Sequence, residues 1–142
     1  MITTYAQGFN LLQGASLAYK FDLNLATVAR IWRGGCIIRS ELLDEIRDVF
    51  TRDPTLPNLI LDRDLGGKVI SRTEALREVV SNAFGLGIPM PAMAVTLSYL
   101  DAYRSVWLPA NLIQAQRDYF GSHTYERIDE RGVFHTEWHQ SN

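Results

Sequence analysis

Three proline-centred breaks constrain this chain more than any other feature of its sequence: Asp53-Pro54-Thr55-Leu56-Pro57, Gly87-Ile88-Pro89-Met90-Pro91 and Pro109. Proline fixes φ, removes an amide donor and disfavours helix in the residue before it. Between the breaks, apolar residues recur at steps of three and four, the period of an amphipathic helix. The chain is thereby divided into separate helices that must pack on one another to hide their apolar faces.

The first helix is predicted over Ile2–Tyr19, with Tyr5, Phe9, Leu12 and Ser16 along one face; Gly8 and Gly14 weaken the pattern without ending it. Asp22 or Asn24 can cap a second helix that runs through Ile31, before Gly34-Gly35 interrupts. A third is predicted over residues 38–51, with Leu42, Ile46, Val49 and Phe50 as its buried stripe and Glu41, Glu45, Asp48 and Arg52 facing water. Residues 58–61 read as one apolar turn. A longer helix is predicted over residues 66–84, ended by Gly85-Leu86-Gly87. Pro91 suits the first turn of the next, over residues 92–106. That helix is apolar on several faces (Met93, Val95, Leu97, Tyr99, Leu100) and is expected to be the central core helix. The last helix runs from Pro109 through Tyr119, and beyond Gly121 the pattern becomes polar and extended. No strand pair with hairpin turn chemistry is legible. The expected fold is all-α: a multi-helix domain of about six helices over residues 1–120 and an irregular C-terminal tail over 121–142.

A length of 142 residues with 46% hydrophobic content suits one such domain with a real core. The formal net charge is −2, and cations and anions are mixed along the chain. No basic stripe marks a nucleic-acid face and no polybasic run marks a membrane surface, so neither partner is expected. Lys20 and Lys68 are the only lysines, which leaves two candidates for any lysine chemistry. Cys36, the single cysteine, excludes an intrachain disulfide and fits a reducing compartment. The N-terminal residues lack the basic and apolar regions of a signal peptide. No apolar run approaches the ~18 residues of a membrane span. A soluble, cytoplasmic protein is expected.

The densest chemistry lies in Leu112-Ile113-Gln114-Ala115-Gln116-Arg117-Asp118-Tyr119-Phe120-Gly121-Ser122-His123-Thr124-Tyr125-Glu126. The Arg117 guanidinium is always charged and presents forked donors that match a phosphate or carboxylate. His123, beyond the Gly121 turn, could reach the same anion from another side. The competing reading leaves both solvated or structural, with Tyr119 and Phe120 as packing residues. Trp32-Arg33-Gly34-Gly35-Cys36-Ile37-Ile38-Arg39-Ser40 could hold a phosphate in its Gly loop, but no strand precedes it, so dinucleotide and P-loop contexts are absent. It reads better as a helix–helix corner whose glycines allow close approach or positive φ, whose arginines cap carbonyls or pair with acidic neighbours, and whose Cys36 is a small buried hydrophobe. Gly87-Ile88-Pro89-Met90-Pro91 reads as a rigid loop that positions the helix after it.

In His135-Thr136-Glu137-Trp138-His139, two imidazoles stand four apart. On a helix they would share a face, as zinc ligands do, but the preceding Gly132-Val133-Phe134 favours extended chain and no third ligand accompanies them. No metal is expected, and Phe134 and Trp138 read as anchors that plug hydrophobic pockets, on this subunit or on another. No nucleophile–base pair is legible, so no catalytic residue is assigned.

Several of these segments, in matching order and spacing, resemble the decarboxylating 6-phosphogluconate dehydrogenases. They are Tyr5-Ala6-Gln7-Gly8-Phe9, the run Trp32 to Ser40, Gly87 to Pro91, Leu108-Pro109-Ala110, Gln114 to Glu126, and Phe134-His135-Thr136-Glu137-Trp138. Residues 63–82 resemble the family weakly. The resemblance implies the second half of that family's all-α domain plus its tail. The complete enzyme begins with a Rossmann-type domain that binds NADP and converts 6-phosphogluconate to ribulose 5-phosphate in the pentose phosphate pathway. The Gly-rich fingerprint, the family's His-Asn pair, its catalytic lysine and its catalytic glutamate have no counterparts here, and neither Lys20 nor Lys68 lies in that lysine's motif. The resemblance therefore implies no turnover and no cofactor bound by this chain alone. It assigns Arg117 and His123 to the Arg and His of the family's tail motif, which cross to the partner of a homodimer and contact the substrate phosphate. A stand-alone helical dimerisation or interaction module without catalysis is the other reading. NADP versus NAD preference stays open, because the residues that decide it belong to the nucleotide-binding domain.

Overall fold

The computed structural model describes residues 1–138. Six α-helices follow one another: α1 Ile2–Tyr19, α2 Leu25–Gly35, α3 Leu42–Arg52, α4 Arg63–Gly85, α5 Pro91–Arg104 and α6 Asn111–Gly121. A 3-10 turn, Leu59–Leu61, precedes α4, and two short strands, β1 Tyr125–Glu126 and β2 Val133–Phe134, follow α6. The chain forms two compact units, Met1–Tyr103 and the part from Arg104 onward. Among the described residues, no helix is long and apolar enough to cross a membrane.

Local chemistry sets the helix starts of the first unit. The Asn24 carboxamide accepts from the Thr27 amide at 2.8 Å and opens α2. The Asp62 carboxylate accepts from the amides of Asp64 and Leu65 at 3.0 and 2.9 Å, so α4 begins at Arg63, ahead of the expected start at residue 66. Asp62 is itself buried and takes an ion pair from Arg52 at 2.5 Å. α3 starts at Leu42, because Ile37 and Ile38 belong to an exposed turn rather than to the expected helix. α2 runs through Gly35 instead of stopping at Ile31.

The core lies where α1, α2 and α3 meet. Phe9 is 1% exposed, with its ring 5.1 Å from Trp32 and 5.3 Å from Phe50. Leu43 and Ile46 on α3 are fully buried beside it, with Val49 and Phe50 nearly so, which realises the expected stripe with Leu43 in the deeper place and Leu42 at its margin. Leu59 from the 3-10 turn and Leu65 from α4 close the other side. A Cβ on Gly66 would collide with the Ile60 carbonyl, so glycine is required where α4 leaves that turn.

Three expectations fail here. α5 is not the central core helix: only Leu97 and Leu100 are buried along it, and Met93 and Val95 face outward. The centre is already filled by Leu59 and Leu65, and α5 is tied on by polar contacts. Asn58, itself buried, donates to the Tyr99 hydroxyl at 2.8 Å, and the Arg77 fork of α4 spans both Asp101 oxygens at 2.9 and 2.8 Å. The glycines Gly34 and Gly35 serve neither close approach nor positive φ among the described residues; a Cβ on either would meet open space. Cys36 is only half-buried, with its thiol donating to the Trp32 carbonyl at 3.1 Å.

A further correction concerns the tail. β1 and β2 form a two-stranded antiparallel sheet that pairs Tyr125 with Phe134 and Glu126 with Val133. It carries no hairpin signal because residues 127–132 make a longer loop. Side chains hold it instead: the Tyr125 and Phe134 rings stack at 6.3 Å, and the Arg127 guanidinium lies 5.3 Å over Phe134 while it pairs with Asp129.

Candidate functional site

Asp118, on α6 of the second unit, is fully buried, and its carboxylate accepts four hydrogen bonds. Oδ1 takes the Thr124 amide at 3.0 Å and His135 Nδ1 at 2.8 Å. Oδ2 takes the Thr136 amide and the Trp138 indole N–H, both at 2.9 Å. One carboxylate thus ties the end of α6 to the turn after it and to the chain beyond β2. Sequence reasoning treated Asp118 only as the neighbour of Arg117. The available signal was its place in the last turn of a helix, where a carboxylate opposes the dipole and survives only with dedicated donors.

Burial by itself would push the Asp118 carboxyl up; the bonds from His135, Thr136, Trp138 and Thr124 outweigh it and hold the group at about 2. His135 is raised above its ordinary value, chiefly by the bond to Asp118. The signs give a pH window for tail attachment. The Asp118 contribution is complete above the ordinary carboxyl value of 3.8 and is lost as pH falls toward about 2. The His135 contribution is complete below 6.5 and is lost as pH rises through its raised value. The tail is therefore held most firmly between pH 3.8 and 6.5. The Trp138 indole N–H resonance, followed by NMR, should keep its bonded position across that window and lose it near pH 2; a position unchanged to the acid limit would overturn this account.

Arg117 is exposed, and its Nη1 donates to Gln114 Oε1 at 2.7 Å, one turn back on α6. No carboxylate among the described residues forms an ion pair with it, so its charge remains available. It lines a groove of about 330 Å³ with Gln114, Thr124, Tyr125, Glu126 and Val133. Glu126 in that groove opposes an anion, while Arg117 attracts one. His123 is exposed just beyond α6 and does not line this groove. Its neighbours Ser122 and Thr124 both have positive φ, 49° and 62°. For a β-branched residue such as Thr124 this is a strained conformation. The imidazole lies over Gly121, where a Cβ would stand 2.6 Å from Nε2.

The other sequence-derived candidates resolve into structural roles. Arg33 pairs with Asp44 of α3 at 2.9 Å, which supports the helix-corner reading. Lys68 pairs with Glu45 at 2.5 Å, and Lys20 ends α1 in a left-handed conformation. Tyr119 and Phe120 are surface residues rather than core packing. Trp138 and Phe134 are engaged within their own chain: Trp138 meets Tyr119 edge-on at 5.8 Å, and Phe134 stacks on Tyr125. His135 is bound to Asp118, and His139 lies outside the described residues. Among the described residues, no group of three His, Cys, Asp or Glu side chains could hold a metal.

Comparison with known proteins matches residues 1–138 to the family model described as 6-phosphogluconate dehydrogenase, C-terminal domain. The chain is 56% identical over 137 residues to 6-phosphogluconate dehydrogenase, decarboxylating 2, chloroplastic, of Oryza sativa subsp. japonica, covering 96% of this chain and 27% of that protein. It is 52% identical to the NADP(+)-dependent, decarboxylating 6-phosphogluconate dehydrogenase of Bacillus subtilis, covering 96% of this chain and 29% of that one. The solved structure of Plasmodium falciparum 6-phosphogluconate dehydrogenase superposes with a TM-score of 0.85 at 44% identity, over 96% of this chain and 29% of that chain. The chain thus spans just over a quarter of the length of the relatives it matches. The match along almost all of its length and the shared helical architecture make this chain a member of the 6-phosphogluconate dehydrogenase family, corresponding to its C-terminal domain.

Proposed function

We propose that this chain is the C-terminal substrate-binding and dimerisation part of an NADP-dependent, decarboxylating 6-phosphogluconate dehydrogenase. The observation that carries the reading is Arg117: an exposed guanidinium on α6 with no carboxylate partner among the described residues, beside a turn that presents His123. Its fork would take two oxygens of the substrate phosphate, and the His123 imidazole would donate to the same group from the side. The relatives' printed names and the Plasmodium falciparum structure, described in complex with NADP+ and with 6-phosphogluconate, support the substrate and cofactor classes.

The reaction assigned to the complete enzyme is hydride transfer from the sugar acid to NADP, followed by loss of CO2 from the resulting 3-keto acid. Groups outside this chain would hold the cofactor, since the sequence carries no Gly-rich dinucleotide turn. This chain's part is to bind and orient the phosphate, with the tail of one subunit serving the active site of its partner in a homodimer. Apolar side chains left uncovered on the first unit fit a subunit surface: Leu11, Leu17, Ile70 and Phe84 are all exposed.

The purified 142-residue chain should release no CO2 from 6-phosphogluconate with NADP and should form dimers or larger assemblies by light scattering at high micromolar concentration. Turnover by the chain alone would overturn the assignment of chemistry to the rest of the enzyme, and a clean monomer would overturn the dimerisation role.

A further inference from the structure

We propose that Asp118 is the positioning residue of the phosphate site, clamping the turn that carries His123 and making that clamp depend on residues 135–138. The inference rests on the phosphate reading of Arg117 and His123. Both residues that flank His123 are held by Asp118. Its main-chain carbonyl accepts the Ser122 amide at 2.9 Å, and its carboxylate accepts the Thr124 amide at 3.0 Å. Both flanking residues have positive φ, so the turn adopts a conformation its own sequence disfavours, and an outside restraint must maintain it. Gly121 leaves room for the imidazole to lie back over the helix end, which sets the direction in which the ring is offered.

The second carboxylate oxygen is committed to the tail through the Thr136 amide and the Trp138 indole. With Asp118 fully buried and four donors on its carboxylate, tail and turn share one acceptor. Such a group holds both segments only while all its bonds are made. Asparagine cannot replace it. With its NH2 toward the tail the carboxamide loses the Thr136 and Trp138 bonds; turned the other way it loses the Thr124 amide, while His135 Nδ1 can accept from it in the other tautomer.

The test uses the full-length enzyme and compares KM for 6-phosphogluconate, kcat, and competitive inhibition by inorganic phosphate. Asp118→Asn should raise KM by roughly ten- to a hundredfold, the effect of an ångström-scale misplacement. kcat should fall by less, and phosphate inhibition should weaken in parallel with KM. Trp138→Phe removes one donor from Oδ2 alone and should shift KM and phosphate inhibition in the same direction by a smaller factor. A folded Asp118→Asn enzyme with KM and phosphate inhibition within about twofold of the unaltered enzyme would overturn the inference. Should that variant fail to fold, unchanged values for Trp138→Phe would do so. Arg117→Ala and His123→Ala, measured alongside, separate the two levels. If they raise KM and the Asp118 and Trp138 variants do not, only the inference falls. If they leave KM unchanged, the phosphate reading falls and takes the inference with it.

Discussion

Replacing Arg117 with alanine in the full-length enzyme should raise the KM for 6-phosphogluconate by roughly ten- to a hundredfold, the loss of a charge-assisted bond worth about 1.5–3 kcal/mol. The side chain is exposed and, among the described residues, bonded only to Gln114, so its removal leaves no buried donor or acceptor unpaired there. The melting temperature should therefore stay nearly constant. Arg117→Lys should recover part of the loss, since an ammonium supplies the charge without the fork. His123→Ala should act in the same direction but less severely, because an imidazole offers a single donor to the anion where the guanidinium offers a fork. If Arg117→Ala melts the domain while the KM stays put, Arg117 is structural and its assignment to the substrate fails.

The largest effect on stability is expected at Phe9. It is 1% exposed and wedged between the rings of Trp32 and Phe50, so it joins α1 to both α2 and α3. Phe9→Ala removes a buried aromatic and leaves a cavity that the surrounding helices fill only in part, at a cost of about 3–5 kcal/mol. Against a total stability of roughly 5–15 kcal/mol for a domain of this kind, that approaches loss of the fold. Phe9→Leu keeps more of the volume and should cost clearly less. Urea denaturation followed by far-UV circular dichroism measures both. A Phe9→Ala midpoint close to that of the unaltered chain would mean that this aromatic cluster does not hold the helices together.

The helices were legible because their signals are local. Ile2–Tyr19 matches its predicted bounds, Pro91 opens α5, and the 53–57 break separates α3 from the 3-10 turn that the apolar run at 58–61 anticipated. The short extended segment at Val133–Phe134 was legible too, from the residues around Gly132. The candidate site was legible in part. Arg117 and His123 stand out by side-chain type and by family resemblance, and both are exposed as a ligand contact requires. The carboxylate between them in sequence stayed hidden, because its donors come from 6, 17, 18 and 20 residues away.

By itself, the sequence determined the number and order of the helices, the all-α class, the family and the pairing of Arg117 on α6 with His123 just beyond it. Each follows from backbone restrictions, a short-range period or a contiguous motif. Only the tertiary structure decided which apolar helix occupies the centre. α5 is more apolar than α3 to a reader of the sequence, yet Leu59 and Leu65 reach the core first and leave α5 attached through Asn58 and Arg77. It alone also decided that Asp118 is buried and that the tail pairs into a sheet. Burial and partner choice depend on which distant segment covers a face, and no local period encodes that.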